Sequence, residues 1–162
     1  MTTFTNLTGA AEIGANSYLI EDGDVRIVLD AGMHPKREGK EALPCYHLLE
    51  GREPQTIIIS HAHIDHIGTL PVLQQEHPQA KVMMTHGTAA VGKAILHNSV
   101  NVMSAKRLQD GVEEYPLYTH GELEHVTGNW EERLYGEIFE IGEGKGMMGT
   151  FYDAGTSWDP AE

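Results

Sequence analysis

Thr56-Ile57-Ile58-Ile59-Ser60-His61-Ala62-His63-Ile64-Asp65-His66-Ile67-Gly68 is an apolar run that opens directly into a cluster of imidazoles and a carboxylate. The isoleucines follow Pro54 and suit a strand covered on both faces. The second half places four potential metal ligands, His61, His63, Asp65 and His66, within six residues. Zn²⁺ favours imidazole nitrogen and carboxylate oxygen at about 2.0–2.2 Å, and a catalytic site keeps one position for water. His61 and His63, two apart in extended or turning backbone, can point the same way. Asp65 and His66 sit where the chain turns into a helix and can face a second ion. Two ions about 3.5–4 Å apart can hold one hydroxide between them and polarise a scissile bond. The pKa of the bound water then falls towards ~7. Asp65 and His66 are thus candidates for the catalytic centre as well as ligands. Chance proximity is the ordinary reading of a lone histidine, but H-x-H-x-D-H directly after an apolar strand is far more specific.

Working outward, the upstream chain reads as strands. Ala15–Ile20 and Val25–Asp30 are rich in β-formers, and the Glu21-Asp22-Gly23-Asp24 link between them is a hairpin signal. Ala31-Gly32-Met33-His34-Pro35 breaks the second strand, and residues 43–50 suit a short helix. Downstream, Gly68–Glu76 reads as a helix with Pro71 in its first turn, where the missing N–H costs little. Lys81–Thr85 is a further strand, and Ala89, Ala90, Ala94, Ile95 and Leu96 mark a helix that Thr85 can cap. Thr119-His120-Gly121-Glu122 fits a capping box before a third helix. Strand-like patterning returns at 137–141 and 147–153. Strands alternating with helices make the fold class α/β.

The bulk properties bound the answer. The 162 residues suffice for one domain with a real core. Hydrophobic residues make up 40% and charged residues 22%, as in globular chains. The formal net charge of −13 disfavours a broad phosphate-binding surface and counts against a nuclease acting through this segment alone. The single cysteine, Cys45, excludes an internal disulfide and a cysteine-based zinc site. The N-terminus does not read as a secretory signal, and no stretch approaches the ~20 apolar residues of a membrane span. A cytoplasmic location and no membrane partner are expected.

His61-Ala62-His63-Ile64-Asp65-His66-Ile67-Gly68 resembles the signature of the metallo-β-lactamase superfamily. Asp30, ending a strand before Ala31-Gly32, resembles the family's first motif, where the aspartate orients the ligand loop by hydrogen bonds. Gly14–Ile20, Leu29–Pro35, the run into Gly68-Thr69-Leu70-Pro71, and Val82–Ala90 with its T-x-x-T step are similar to the β-CASP branch. The likeness extends from about Leu7 to Gly155. It implies the N-terminal part of an αββα sandwich, two zinc ions held by His61, His63, Asp65, His66 and further ligands, and Asp30 supporting them. It implies zinc-bound hydroxide as nucleophile and RNA as substrate, with endo- and exonuclease action both open. A glyoxalase-like thioesterase of the same superfamily, which the acidic charge modestly favours, and a non-catalytic remnant are the rivals.

The chain departs from the family at its C-terminal end. Phe151-Tyr152-Asp153-Ala154-Gly155 resembles the approach to the third motif, but Thr156 stands where a zinc-binding histidine is expected. Residues 1–155 therefore read as the N-terminal half of the domain and 156–162 as a divergent tail. A fragment, a shifted reading frame and a shortened member all fit. Two protein ligands per ion predict weak metal binding, since catalytic zinc usually has three. A half sandwich also predicts an uncovered apolar sheet face and self-association through it. His86, His97, His120 and His125 read as structural or exposed, His34 as a turn residue, and Trp130, Tyr135 and Phe139 as core.

Overall fold

The computed structural model describes residues 1–9, 14–142 and 145–152. Six strands, β1 (Thr3–Asn6), β2 (Tyr18–Asp22), β3 (Val25–Leu29), β4 (Thr56–Ile58), β5 (Lys81–Thr85) and β6 (Trp130–Arg133), form one sheet in sequence order. The first three are antiparallel; β3 to β6 run parallel. The hairpin read at Asp22-Gly23 is present: Asp22 pairs with Val25, and Gly23 supplies the positive φ of 58° that the tight link needs. Parallel strands require crossovers, and here these carry α1 (Ile64–Ile67), α2 (Leu70–Glu76), α3 (His86–Asp110) and α4 (His120–Thr127).

Helix starts follow local chemistry. Pro71 lies in the first turn of α2. Thr85 caps α3 by accepting from the Thr88 N–H at 3.2 Å. Thr119 and Glu122 form the full capping box of α4, with the Glu122 carboxylate accepting from the Thr119 N–H at 2.7 Å. In place of the helix expected over 43–50 stands a single 3₁₀ turn, Tyr46–Leu49, with another, Gly39–Ala42, just before that span. The third helix runs on to Asp110 and stops at Gly111, whose φ of 72° is the left-handed conformation that ends helices.

Leu19, Val28, Ile57, Val82 and Met84 turn one face of the sheet towards Ile67, Leu70, Leu73, Leu96 and Leu123 of the helical layer, all buried. Val25, Ile27 and Met83 face the other way. That second face is not bare, contrary to expectation. A hairpin of β7 (Ile138–Ile141) and β8 (Met147–Thr150) packs Phe139, Ile141 and, just beyond it, Phe151 against these residues. Period-two alternation sends Ile138 and Met148 outward, where they are 70% and 56% exposed. Tyr135, read as core, is 63% exposed, because the chain pairs through its backbone with Phe151 there while its ring faces solvent. Trp130 and Phe139 are buried as expected, and the Trp130 indole donates to Gln74 Oε1 at 2.8 Å. The comparison at Asp153–Thr156 and the tail 156–162 lie outside the described residues. Among the described residues, no helix is long and apolar enough to cross a membrane.

Candidate metal centre

The C-terminal ends of β3 and β4 open side by side, and the loops leaving them build the site. Asp30 continues the ladder by donating its N–H to the Ile58 carbonyl at 2.8 Å. It then takes a left-handed conformation, φ 60°, uncommon outside glycine and tolerated best by Asn and Asp. This turn aims its buried carboxylate across to the next loop. Oδ1 accepts from the Ser60 N–H at 2.8 Å and its hydroxyl at 2.9 Å, and Oδ2 lies 2.8 Å from His66 Nδ1. A carboxylate this buried is tolerable because every facing group is a donor.

The four motif side chains gather above it. His61 Nδ1 is 2.9 Å from Ser60 Oγ, and its Nε2 is 3.1 Å from His63 Nδ1. The His61 and His66 rings lie with centroids 4.1 Å apart. His66 Nε2 is 3.5 Å from Asp65 Oδ2. His63 precedes α1 in extended backbone and makes no cap bond, which leaves its ring for His61. The electrostatics differ across the cluster. The hydrogen bond to Asp30 raises the pKa of His66 above the ordinary imidazole value, against the effect of burial. Burial, then the neighbouring His66 and His63, push His61 down.

Three loops are knitted beneath these side chains by main-chain bonds. Ala31 N–H donates to the His66 carbonyl at 2.7 Å, Met33 N–H to Ile64 at 2.9 Å, Asn16 N–H to Asp65 at 3.0 Å and Gly32 N–H to Asn16 at 2.9 Å. The loops approach so closely that a Cβ on Gly32 would lie 1.8 Å from the Asp65 carbonyl oxygen. Only glycine fits there, which explains Gly32 after Asp30.

The structure therefore brings all five residues read from the sequence, Asp30, His61, His63, Asp65 and His66, into one contact network. The chemistry of the donor set, three imidazoles and a carboxylate, suits Zn²⁺. The Asp30 contact to His66 is the arrangement that orients a ligating imidazole. The donors face one another in two pairs, His61 with His63 and Asp65 with His66; among the described residues no group of three or more His, Cys, Asp or Glu is placed to hold an ion together. Two polar residues of the centre were not read as functional: Ser60, whose hydroxyl contacts Asp30 and His61, and, from a distant loop, Asn16, whose amide nitrogen contacts Asp65 and His66. No local signal marks Asn16, because its partners lie on another loop. The other histidines stand apart. His34 is a buried turn residue whose Nδ1 accepts from the Lys36 N–H at 3.1 Å. His86 pairs with Glu132, and His97 meets His120 between α3 and α4, Nδ1 to Nδ1, at 2.7 Å.

Comparison with known proteins agrees with this architecture. A family model described as the metallo-beta-lactamase superfamily matches residues 11–148. Endoribonuclease YSH1 of Eremothecium gossypii is 31% identical over 94% of the chain and 20% of its own length. Endoribonuclease YSH1 of Candida albicans is 34% identical over 94% of the chain and 18% of its own length. The chain thus spans about a fifth of the length of these relatives. Among solved structures, the subclass B3 metallo-beta-lactamase MEM-A1 from a soil metagenome library aligns over 88% of this chain and 46% of its own, with a TM-score of 0.50 and 18% identity, a likeness of fold.

Proposed function

The chain belongs to the metallo-β-lactamase superfamily, and from that premise we propose that it carries the metal-binding half of a catalytic centre that cleaves RNA phosphodiesters in a protein of its relatives' full length. The β-CASP likeness of its motifs and the endoribonuclease relatives support the choice of RNA. The observation that carries the reading is the contact network joining Asp30, His66, Asp65, His61 and His63 at the ends of β3 and β4.

His61 and His63 would hold one zinc ion, and Asp65 and His66 the other. The ions, when bound, would polarise the scissile bond and lower the pKa of a water molecule. The chain's own part is orientation. Asp30 fixes the tautomer of His66 by accepting from Nδ1, which leaves Nε2 as the donor atom facing the site. Ser60 ties the His61 ring to the same carboxylate through its hydroxyl. Domain limits of 1–155, followed by a distinct tail, go with this reading.

Calorimetric titration of metal-free chain with zinc tests it. Two protein ligands per ion predict weak binding that disappears in His61→Ala and His66→Ala. Asp30→Asn should weaken it by about 10–100-fold. Heat unchanged by all three substitutions would reject the site. The net charge of −13 favours the thioesterase reading as the second. Metal-dependent cleavage of single-stranded RNA, set against thioester hydrolysis by a chain of the relatives' length, separates the two.

A further inference from the structure

Asn16 lies in the loop before β2, yet its side chain meets both members of the second donor pair. Its Nδ2 donates to the Asp65 carbonyl at 3.0 Å, and lies 3.3 Å from Asp65 Oδ2 and 3.2 Å from His66 Nε2. Chemistry fixes which way the amide points. A backbone carbonyl and an ionised carboxylate only accept, so the face turned to them is the NH₂. On its other side the Tyr18 hydroxyl donates to Asn16 Oδ1 at 3.3 Å. For His66, the Asp30 carboxylate accepts from Nδ1 at 2.8 Å, so the neutral ring carries its lone pair on Nε2. Asn16 thus directs its amide hydrogens at Asp65 and at the two atoms, Oδ2 and Nε2, whose lone pairs a cation would take.

We propose that Asn16 is a positioning residue for the Asp65–His66 pair, its amide holding Oδ2 and Nε2 turned to one point until a divalent cation replaces it there. The inference rests on the metal reading above. Two lone-pair atoms 3.5 Å apart repel each other unless something positive lies between them. The amide supplies that partial charge in the metal-free protein. Ligands already converged need little reordering when the ion arrives, and that ordering cost is what preorganisation removes. The position of Asn16 itself is secured by its main chain, which donates to the Asp65 carbonyl and accepts from Gly32. Loss of the contact to His66 on metal binding therefore leaves the loop in place.

Two measurements on the full 162-residue chain test this. The first is zinc titration in competition with a chromophoric chelator, comparing wild type with Asn16→Ala. Asn16→Ala should bind zinc about 10–100-fold more weakly. The second is nuclear magnetic resonance of uniformly ¹⁵N-labelled wild type in mildly alkaline buffer. A coupling across the hydrogen bond between Asn16 Nδ2 and His66 Nε2 should be present without metal and vanish at zinc saturation. A purely structural asparagine would keep that coupling. Equal zinc affinity in Asn16→Ala, no coupling in the metal-free protein, or a coupling that survives zinc each overturns the proposal. If Asn16→Ala does not fold, the wild-type spectra decide alone. Wild type that takes up no zinc rejects the metal reading and this inference together; wild type that binds beside an unaffected Asn16→Ala rejects the inference only.

Discussion

The loops leaving β3 and β4 and the β7–β8 hairpin rest on the same sheet but are held in opposite ways. The loops are joined by main-chain hydrogen bonds between residues far apart in sequence, with a buried carboxylate beneath them and a glycine where two backbones touch. The hairpin is held by side chains. Phe139, Ile141 and Phe151 cover Val25, Ile27 and Met83, and its own ladder is internal. Apolar burial is non-directional and tolerates small slides, whereas a set of metal donors must be held to fractions of an ångström. Backbone bonds therefore sit where geometry matters, and hydrophobic contact where only covering is required.

The contrast is broken most severely at Gly32. Gly32→Ala would drive a methyl into the Asp65 carbonyl, and the expected cost is about 3 kcal/mol or more. Thermal unfolding should record it, with zinc binding lost in parallel. A variant that unfolds like wild type would mean the loops are not locked together. Phe139→Ala comes next, at about 3 kcal/mol, the low end for a buried phenylalanine, because it empties only the small cluster under the hairpin. Hydrogen exchange should then quicken at β7 and β8 while the amides of Ala31, Gly32 and Met33 stay protected. Uniform loss of protection would show the two regions to be one cooperative unit.

The smallest effect lies outside both. Glu21 on β2 has its pKa lowered from 4.5 to about 2, chiefly by its hydrogen bond to Arg52. A depressed carboxylate contributes stability above its unfolded pKa and loses it as pH falls through the folded one. Relative to Glu21→Gln, wild type should therefore lose its advantage between about pH 4.5 and about 2, by about 1 kcal/mol or less because the pair is partly exposed. Acid unfolding of both proteins checks this; a difference that grows as pH falls would contradict it.

Much of the fold was legible because its signals are local. The Asp22-Gly23 turn, Pro71 in α2, the Thr85 cap and the Thr119–Glu122 box each act within four residues. The grouping of His61, His63, Asp65 and His66 around Asp30 was legible for the same reason, as a strand end and a dense donor cluster. What escaped depends on distant partners. The first strand, Thr3–Asn6, has only one partly buried residue, so it shows no hydrophobic run. Trp130-Glu131-Glu132-Arg133 forms β6 although its charges suggest a solvated surface; Arg133 pairs with Glu131, and Glu132 with His86. Asn16 is a loop residue until Asp65 and His66 fold onto it. The hairpin that covers the second sheet face could not be foreseen from a half-sandwich expectation, since alternation at 138–141 does not say which sheet it will meet.

Zinc K-edge X-ray absorption of the zinc-loaded chain tests the central claim most directly. Zinc held by the His61–His63 and Asp65–His66 pairs predicts nitrogen and oxygen neighbours at about 2.0–2.2 Å with the outer-shell scattering of imidazole rings, and no sulfur. A spectrum of hydrated zinc without imidazole scattering would contradict it.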